Sequence, residues 1–378
     1  MSSRACWTLV RAGSIIVLLL VFGVGHVVAA PALQDGPYVA QSADGAWVAR
    51  WVSAERGADS AEVREQKVRI GDEVSVAAVG SLPSFKVRLR KTPGIAPNDV
   101  KLPSTTPLFV MADTHGEFEI AVELLRNQHV IDSALRWQFG RGRLAVLGDV
   151  FDRGPNQTEI FWLLYKLEAE AARAGGGVHL MLGNHETMAL GGDDRYLNPK
   201  YQQVKGALHA PNYAALWSET TLLGQWLRTK ATVTRIGDYL CLHGGLSREL
   251  VDRKLTLEQI NAEVRASLGK LHADSFVMSN AGPQWYRGYF AEAARAGGFK
   301  VATSEDIDAI LAFYGARAIF VGHTIVPTVE SLYGGRVIAV QVYPHRDEPG
   351  GRKAMEGLLV KDGKFFRARI DGGVEPLG

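Results

Sequence analysis

Three short motifs in the middle of the chain carry side chains able to do metal and phosphate chemistry. Asp113-Thr114-His115-Gly116 sets a carboxylate and an imidazole two residues apart on a turn, where both reach one divalent ion from the same side. Gly148-Asp149-Val150-Phe151-Asp152-Arg153-Gly154 offers Asp149, whose carboxylate can bridge two ions. One turn further, Asp152 can orient a proton donor and Arg153 can fork onto phosphate oxygens. Gly183-Asn184-His185-Glu186 adds the amide oxygen of Asn184 as a ligand and the imidazole of His185 as a donor to a leaving oxygen. His243, in His-Gly-Gly, and His323, in Gly-His-Thr, complete the set. Singly, each reads equally well as a capped turn or a structural histidine.

The arrangement decides between those readings. Apolar runs at 108–112, 144–147, 178–182, 239–242 and 318–321 each end directly on one of these groups. Runs this short and apolar predict strands buried on both faces. In α/β sheets ligands bind at the carboxyl ends, so the five ends should converge on one site. Helices are expected at 118–127 and 158–174, the second closed by Gly175-Gly176-Gly177. The stretches 187–230 and 246–300 are too long for simple connections and should wall a substrate cleft. Oxygen and imidazole ligands suit two divalent or trivalent ions, Mn, Fe or Zn, and no ligand cysteine is available. Two divalent ions against two ligand carboxylates leave a double positive charge, matching a phosphate dianion. A water shared between such ions supplies an attacking oxygen near neutral pH, for in-line hydrolysis without a covalent phosphoenzyme.

The ordered series Asp-x-His-Gly, Gly-Asp-x-x-Asp-Arg-Gly, Gly-Asn-His-Glu, His-Gly-Gly and Gly-His resembles the phosphoprotein phosphatase family of the calcineurin-like metallophosphoesterases, over residues 107–345. Gly282-Pro283-Gln284-Trp285-Tyr286-Arg287 and the opening Asp35-Gly36-Pro37-Tyr38-Val39 are similar to its Shewanella-like bacterial branch. The resemblance implies an α/β fold, a metallophosphoesterase-type β-sandwich flanked by helices. It implies Asp113 and His115 on one metal, Asp149 bridging, and Asn184, His243 and His323 on the other. His185 would be the general acid oriented by Asp152, with Arg153 and Arg287 clamping the phosphate. The implied activity is phosphomonoester hydrolysis on phosphorylated protein or peptide, with phosphotyrosine preferred in the finer branch. Trp285, Tyr286 and Tyr289 could line an aromatic entrance or pack in the core. The family's usual glycine before the first Asp is here Ala112, a difference of one methyl group. A dinucleoside polyphosphate hydrolase or a general periplasmic phosphatase would share the metal core, though no motif for a base or a second phosphate is present. A non-catalytic phosphate-binding protein would have lost one of Asp149, Asn184 or His185, and all three are intact.

The rest of the chain frames that site. At 378 residues, 47% hydrophobic and 22% charged, the composition is that of an ordinary globular protein. Arg4 and Arg11 precede an apolar run at 15–24 and an Ala-x-Ala site, Ala30-Pro31-Ala32, so residues 1–32 read as a signal peptide. This predicts export, to the periplasm, with no stable membrane association after cleavage. Removing Arg4 and Arg11 lowers the 42 Lys and Arg to 40, equal to the 40 Asp and Glu. That balance gives no electrostatic reason for a nucleic-acid partner. Cys6 leaves with the signal, and Cys241, inside an apolar run, is expected as a buried thiol. Residues 33–106 read as a small β-rich N-terminal region, with strands at 38–40, 46–52, 68–70 and 85–90 and a Pro-containing linker at about 91–107. The catalytic domain is placed at 107–378.

Overall fold

The computed structural model describes residues 33–58, 60–270, 274–343 and 355–378. The expected signal peptide, with Cys6, lies outside the described residues. The N-terminal region is a three-stranded antiparallel sheet of β1 (Leu33–Gln41), β2 (Trp47–Ala54) and β3 (Glu62–Val68), followed by the hairpin of β4 (Glu73–Val76) and β5 (Phe85–Arg88). The strand expected at 68–70 instead ends at Val68, because Arg69–Asp72 turn around Gly71 at φ 105°. The segment read as a linker contributes β6 (Asp99–Val100), which pairs with a catalytic strand.

Two six-stranded sheets form the centre. One has the order β17-β16-β15-β7-β8-β9, from Val374–Pro376, Lys364–Arg369, Glu356–Lys361, Leu108–Met111, Arg143–Val146 and Gly177–Leu180. The other has the order β13-β14-β12-β11-β10-β6, from Glu330–Leu332, Val337–Ala339, Ala318–Val321, Tyr239–Leu242 and Val233–Ile236, ending on β6. Side chains alternate along a strand, and here both faces are covered. Leu108, Val110, Ala145, Leu147, Cys241 and Phe320 fill the core between the sheets. Their neighbours Phe109, Met111, Leu144, Val146, Leu240 and Ile319 pack outward, under the helices. That double burial is why these strands read as unbroken apolar runs. Cys241 is fully buried between the sheets, and burial pushes its thiol pKa up.

On the outer face, α1 (Phe118–Asn127) buries Phe118, Ala121, Leu124 and Leu125, a helical stripe. Helix α2 (Gln157–Arg173) is buried on nearly every side over residues 157–165, because the N-terminal sheet covers the face the central sheet does not. Trp162 Nε1 donates to the Pro37 carbonyl (2.8 Å), and Tyr38 meets Trp217 edge-on at 6.3 Å. Two further helices, α3 (Asn184–Gly191) and α4 (Pro199–Ala207), leave the end of β9 toward the cleft.

Candidate active site

The five strand ends meet. Asp113 and His115 follow β7, Asp149 through Arg153 follow β8, Asn184 opens α3 after β9, and His243 and His323 follow β11 and β12. The turns that aim these groups are strained. Of the twelve non-glycine residues with positive φ among the described residues, six are Asp113, His115, Asp149, Asp152, Arg153 and His323, at φ 42–70°. Each such conformation costs on the order of 1–3 kcal/mol and persists only where the surroundings enforce it. Two turns lock back to back: Gly154 N–H donates to the His115 carbonyl (2.8 Å), and a Cβ at Gly116 would lie 2.5 Å from the Gly154 carbonyl oxygen. The motif glycines permit that contact. Ala112 faces Gly322, where an added Cβ would come within 3.0 Å of the alanine methyl, so a glycine opposite accommodates the extra carbon.

Hydrogen bonds at the back of the histidines fix what their inner nitrogens offer. His115 Nδ1 lies 2.8 Å from the Phe151 carbonyl, and His243 Nδ1 2.7 Å from the Leu147 carbonyl. A carbonyl can only accept, so Nδ1 carries a proton and each Nε2 is the nitrogen left facing inward, able to offer its lone pair to a cation. His243 Nε2 faces Asn184 Oδ1 (2.9 Å), Asp149 Oδ2 (3.1 Å) and His323 Nδ1 (3.1 Å). His115 Nε2 and His185 Nε2 face the same Asp149 oxygen at 3.7 and 3.8 Å. The ligand atoms fall into two groups sharing Asp149: with His115 and His185, and with His243 and His323. Burial disfavours charge on His243, but Asp149 and Asp113 outweigh it and raise its pKa to about 9. These carboxylates thus call for positive charge at the His243 Nε2 position, which a cation supplies in place of a proton. Imidazoles backed by a carbonyl are the usual form of a metal-ligating histidine. The donor set therefore fits a metal pair. Asp113 sits at the margin, its carboxylate accepting the His323 N–H at 3.2 Å from both oxygens, outside either three-residue group.

Charge in this cluster is poorly matched by the protein itself. Burial pushes the Asp113 carboxyl up to about 7 and the His115 imidazole down to about 3. Burial opposes charge on Asp149 too, yet the imidazoles of His243 and His185 hold its pKa well below the usual range. His185 is arranged differently from the other three histidines. Its Nδ1 lies 2.6 Å from Asp152 Oδ2, and its backbone N–H donates to Asp149 Oδ1 (3.0 Å). Burial disfavours its charge, but Asp149 and Asp152 outweigh burial and raise its pKa. Arg153 is exposed at the mouth, its backbone held by the Tyr196 carbonyl (3.0 Å). Arg287 lies on the His323 side, Nη2 donating to the His323 carbonyl (3.3 Å).

Several supporting residues had no role in the sequence reading. Glu186 is fully buried and accepts the backbone N–H groups of Gly183 (2.7 Å), Asp149 (2.8 Å) and Val150 (2.8 Å). It thereby ties the β8 and β9 turns together; an acidic residue three past a glycine at a helix start was its only signal. Gln284 donates to the Leu182 and Gly183 carbonyls (3.0 and 2.8 Å), tying the Gly282–Arg287 motif to the Asn184 turn. The aromatic residues divide between the two places open to them. Tyr286 and Tyr289 are buried core rings, Tyr289 bonding the Leu246 backbone. Trp285 stands edge-on to His323 (5.7 Å), while Tyr196 lies 5.3 Å from the His185 ring and Tyr343 6.0 Å from that of His115.

Residues 106–327 match the family model described as calcineurin-like phosphoesterase. The chain is 34% identical to a solved structure described as the cold-active protein-tyrosine phosphatase of a psychrophilic Shewanella species, with a TM-score of 0.77, covering 91% of this chain and 99% of that one. It is 28% identical over 263 residues to Shewanella-like protein phosphatase 2 of Arabidopsis thaliana, covering 58% of this chain and 66% of the relative. It is likewise 28% identical over 230 residues to Shewanella-like protein phosphatase 1 of Plasmodium berghei (strain Anka), covering 58% and 62%. The match thus spans a little under two thirds of these curated relatives' own length.

Proposed function

The chain belongs to the calcineurin-like phosphoesterase family, and we propose that it is a metal-dependent phosphomonoesterase of phosphorylated protein or peptide, favouring phosphotyrosine. The observation that carries this reading is the convergence of metal-competent atoms on Asp149, beside a His185–Asp152 pair and an exposed Arg153. Asp113, His115 and Asp149 would hold one ion; Asp149, Asn184, His243 and His323 would hold the second, Mn, Fe or Zn suiting these donors. When bound, such ions supply Lewis acidity at the phosphoryl group and an activated water. Arg153, reaching from the mouth, forks onto the phosphoryl oxygens, with Arg287 on the opposite side. Asp152 accepts the Nδ1 proton of His185 and keeps the imidazole protonated and aimed. Nε2 of His185 then gives its proton to the departing oxygen. Tyr196, half-exposed beside His185, Tyr343 and Trp285 favour an aromatic group on the leaving oxygen. We also propose export to the periplasm, from the 1–32 segment. No helix among the described residues is long and apolar enough to cross a membrane.

The test is phosphate release by residues 33–378 with Mn, from a phosphotyrosyl peptide, a phosphoseryl peptide and diadenosine tetraphosphate. The phosphotyrosyl peptide should turn over fastest, and Asp149→Asn should abolish it. Cleavage of the dinucleotide alone would move the function to nucleotide hydrolysis and defeat the protein-phosphatase reading.

A further inference from the structure

The Asp35-Gly36-Pro37-Tyr38 segment of β1 lies outside the metal-site motifs, yet its one carboxylate is buried against the catalytic half. The side chain of Asp35 is fully buried, that of Glu159 is 3% exposed and that of Lys200, between them, 13%. Lys200 Nζ donates to the Pro155 carbonyl (2.8 Å) and Glu159 Oε1 (3.5 Å) and forms a buried ion pair with Asp35 Oδ2 (2.5 Å). Burial would drain its charge, but Asp35 and Glu159 outweigh burial and raise its pKa. On the far side of Asp35, Oδ1 accepts the Tyr38 hydroxyl (2.8 Å), which also meets Thr158 Oγ1 (3.2 Å).

What Lys200 grips is the loop following the phosphate arginine. The first turn of α4 holds that loop at successive points. Asn198 Nδ2 donates to the Arg153 carbonyl (2.7 Å), and Lys200 and Tyr201 Oη both donate to the Pro155 carbonyl (2.8 and 2.9 Å). The Gln157 N–H donates to Tyr201 Oη (2.9 Å), and Gln157 Oε1 accepts the Asp152 N–H (2.6 Å). Gln157 Nε2 is in turn fixed by the Tyr213 hydroxyl. Asp152 and Arg153 sit at φ 70° and 66°, conformations that need such enforcement. The path from β1 to the His185–Asp152 pair thus runs through one buried ion pair, Asp35–Lys200, and then through buried or half-buried hydrogen bonds by way of Pro155, Tyr201 and Gln157.

We propose that β1 is a positioning element of the active site: Asp35 orients the buried Lys200 ammonium, which fixes the Pro155 carbonyl and so the backbone that aims Asp152 and Arg153. The inference rests on the phosphomonoesterase reading for its kinetic consequence, though not for the loop's geometry. A shift of about 1 Å in such a group costs up to about a hundredfold in rate.

The test uses the metal-loaded chain, as wild type, Lys200→Met and the isosteric Asp35→Asn. Hydrolysis of 4-nitrophenyl phosphate, inhibition by inorganic phosphate, metal content and amide hydrogen exchange over residues 152–157 would be measured below the melting temperature of each. Lys200→Met should lower kcat/KM by about ten- to a hundredfold and weaken phosphate inhibition several-fold, with metal content unchanged. Asp35→Asn should follow the same pattern more weakly, since Glu159 remains to hold the ammonium. The double variant should cost no more in kcat/KM than Lys200→Met alone. Exchange at 152–157 should quicken in both single variants. Unchanged kinetics and exchange in folded variants, with only the melting temperature lowered, would overturn the proposal. If Lys200→Met fails to fold, Asp35→Asn decides on the same readouts. If the wild type hydrolyses no phosphomonoester, the phosphatase reading fails, and exchange alone decides the positioning claim, quickened supporting it and unchanged overturning it.

Discussion

Two clusters of buried charge lie within this molecule, and they are built on opposite plans. Around Lys200, ammonium and carboxylates are paired inside the protein: the cation forms an ion pair with Asp35 and donates to Pro155 and Glu159, and Asp35 takes the Tyr38 hydroxyl. Around Asp149, metal-competent atoms crowd together, with His243 Nε2 meeting an amide oxygen, a carboxylate oxygen and a second imidazole nitrogen within 3.1 Å. His323 Nε2 has no hydrogen-bond partner among the described residues; Asp35 Oδ2 has none either, but it lies 2.5 Å from the Lys200 ammonium. Burying charge is tolerable only when it is matched. The first cluster is matched by its own residues and so holds structure. The second needs something brought from outside, and so is a site.

Four substitutions sharpen that contrast. The largest effect is expected for Asp149→Asn, which removes the oxygen shared by both ligand groups: turnover should fall by at least about a thousandfold together with the bound metal, read by elemental analysis. Next, Lys200→Met should destabilise the fold by about 3–5 kcal/mol, since Asp35 and Glu159 would remain buried without their cation. Urea unfolding measures this, and metal content should not change. His185→Asn should slow alkyl phosphates by about a hundredfold and aryl phosphates much less, because a phenolate leaves without a proton. Equal rates for both substrates would remove His185 from the acid role. Metal content should again be unaltered, separating proton donor from ligand.

The smallest effect is a pH dependence inside the matched cluster. Burial first, then the neighbouring Asp35 carboxylate, raises Glu159 from its ordinary 4.5 to about 7. The folded chain then holds this proton more tightly than the unfolded chain does. The resulting stability is full below about pH 4.5 and is lost as pH rises toward 7. Glu159→Gln should match the wild type near pH 4.5 and exceed it by about 2–3 kcal/mol above pH 7, in urea titrations across that range.

The catalytic strands were legible because burial on both faces writes them as unbroken apolar runs, each ending on a polar group. Strands β15 and β16, Glu356–Lys361 and Lys364–Arg369, were not: β15 holds only a short apolar run between Glu356 and Lys361 and ends on no metal-competent group, and Arg367 interrupts β16. Metal-competent residues could be named from their motifs, whose local turns set their direction. The roles of Lys200, Glu186 and Tyr196 could not be read that way, even though Glu186 stands inside a motif. Lys200 acquires its role from Asp35, 165 positions earlier in the chain; Glu186 from turns that fold back onto its helix; and Tyr196 from a loop that crosses the cleft. Gln284 shows the intermediate case, a residue visible within a motif whose work, gripping the Leu182 and Gly183 carbonyls, only the tertiary fold reveals.

The central claim is that metal-competent atoms converge on Asp149 because two ions belong there. Its most direct test is the number of tightly bound Mn ions per chain, by elemental analysis of wild type and Asp149→Asn after loading and desalting. The account predicts two ions in the wild type and at most one in the variant. A wild type that retains none, or a variant that retains both, would contradict it.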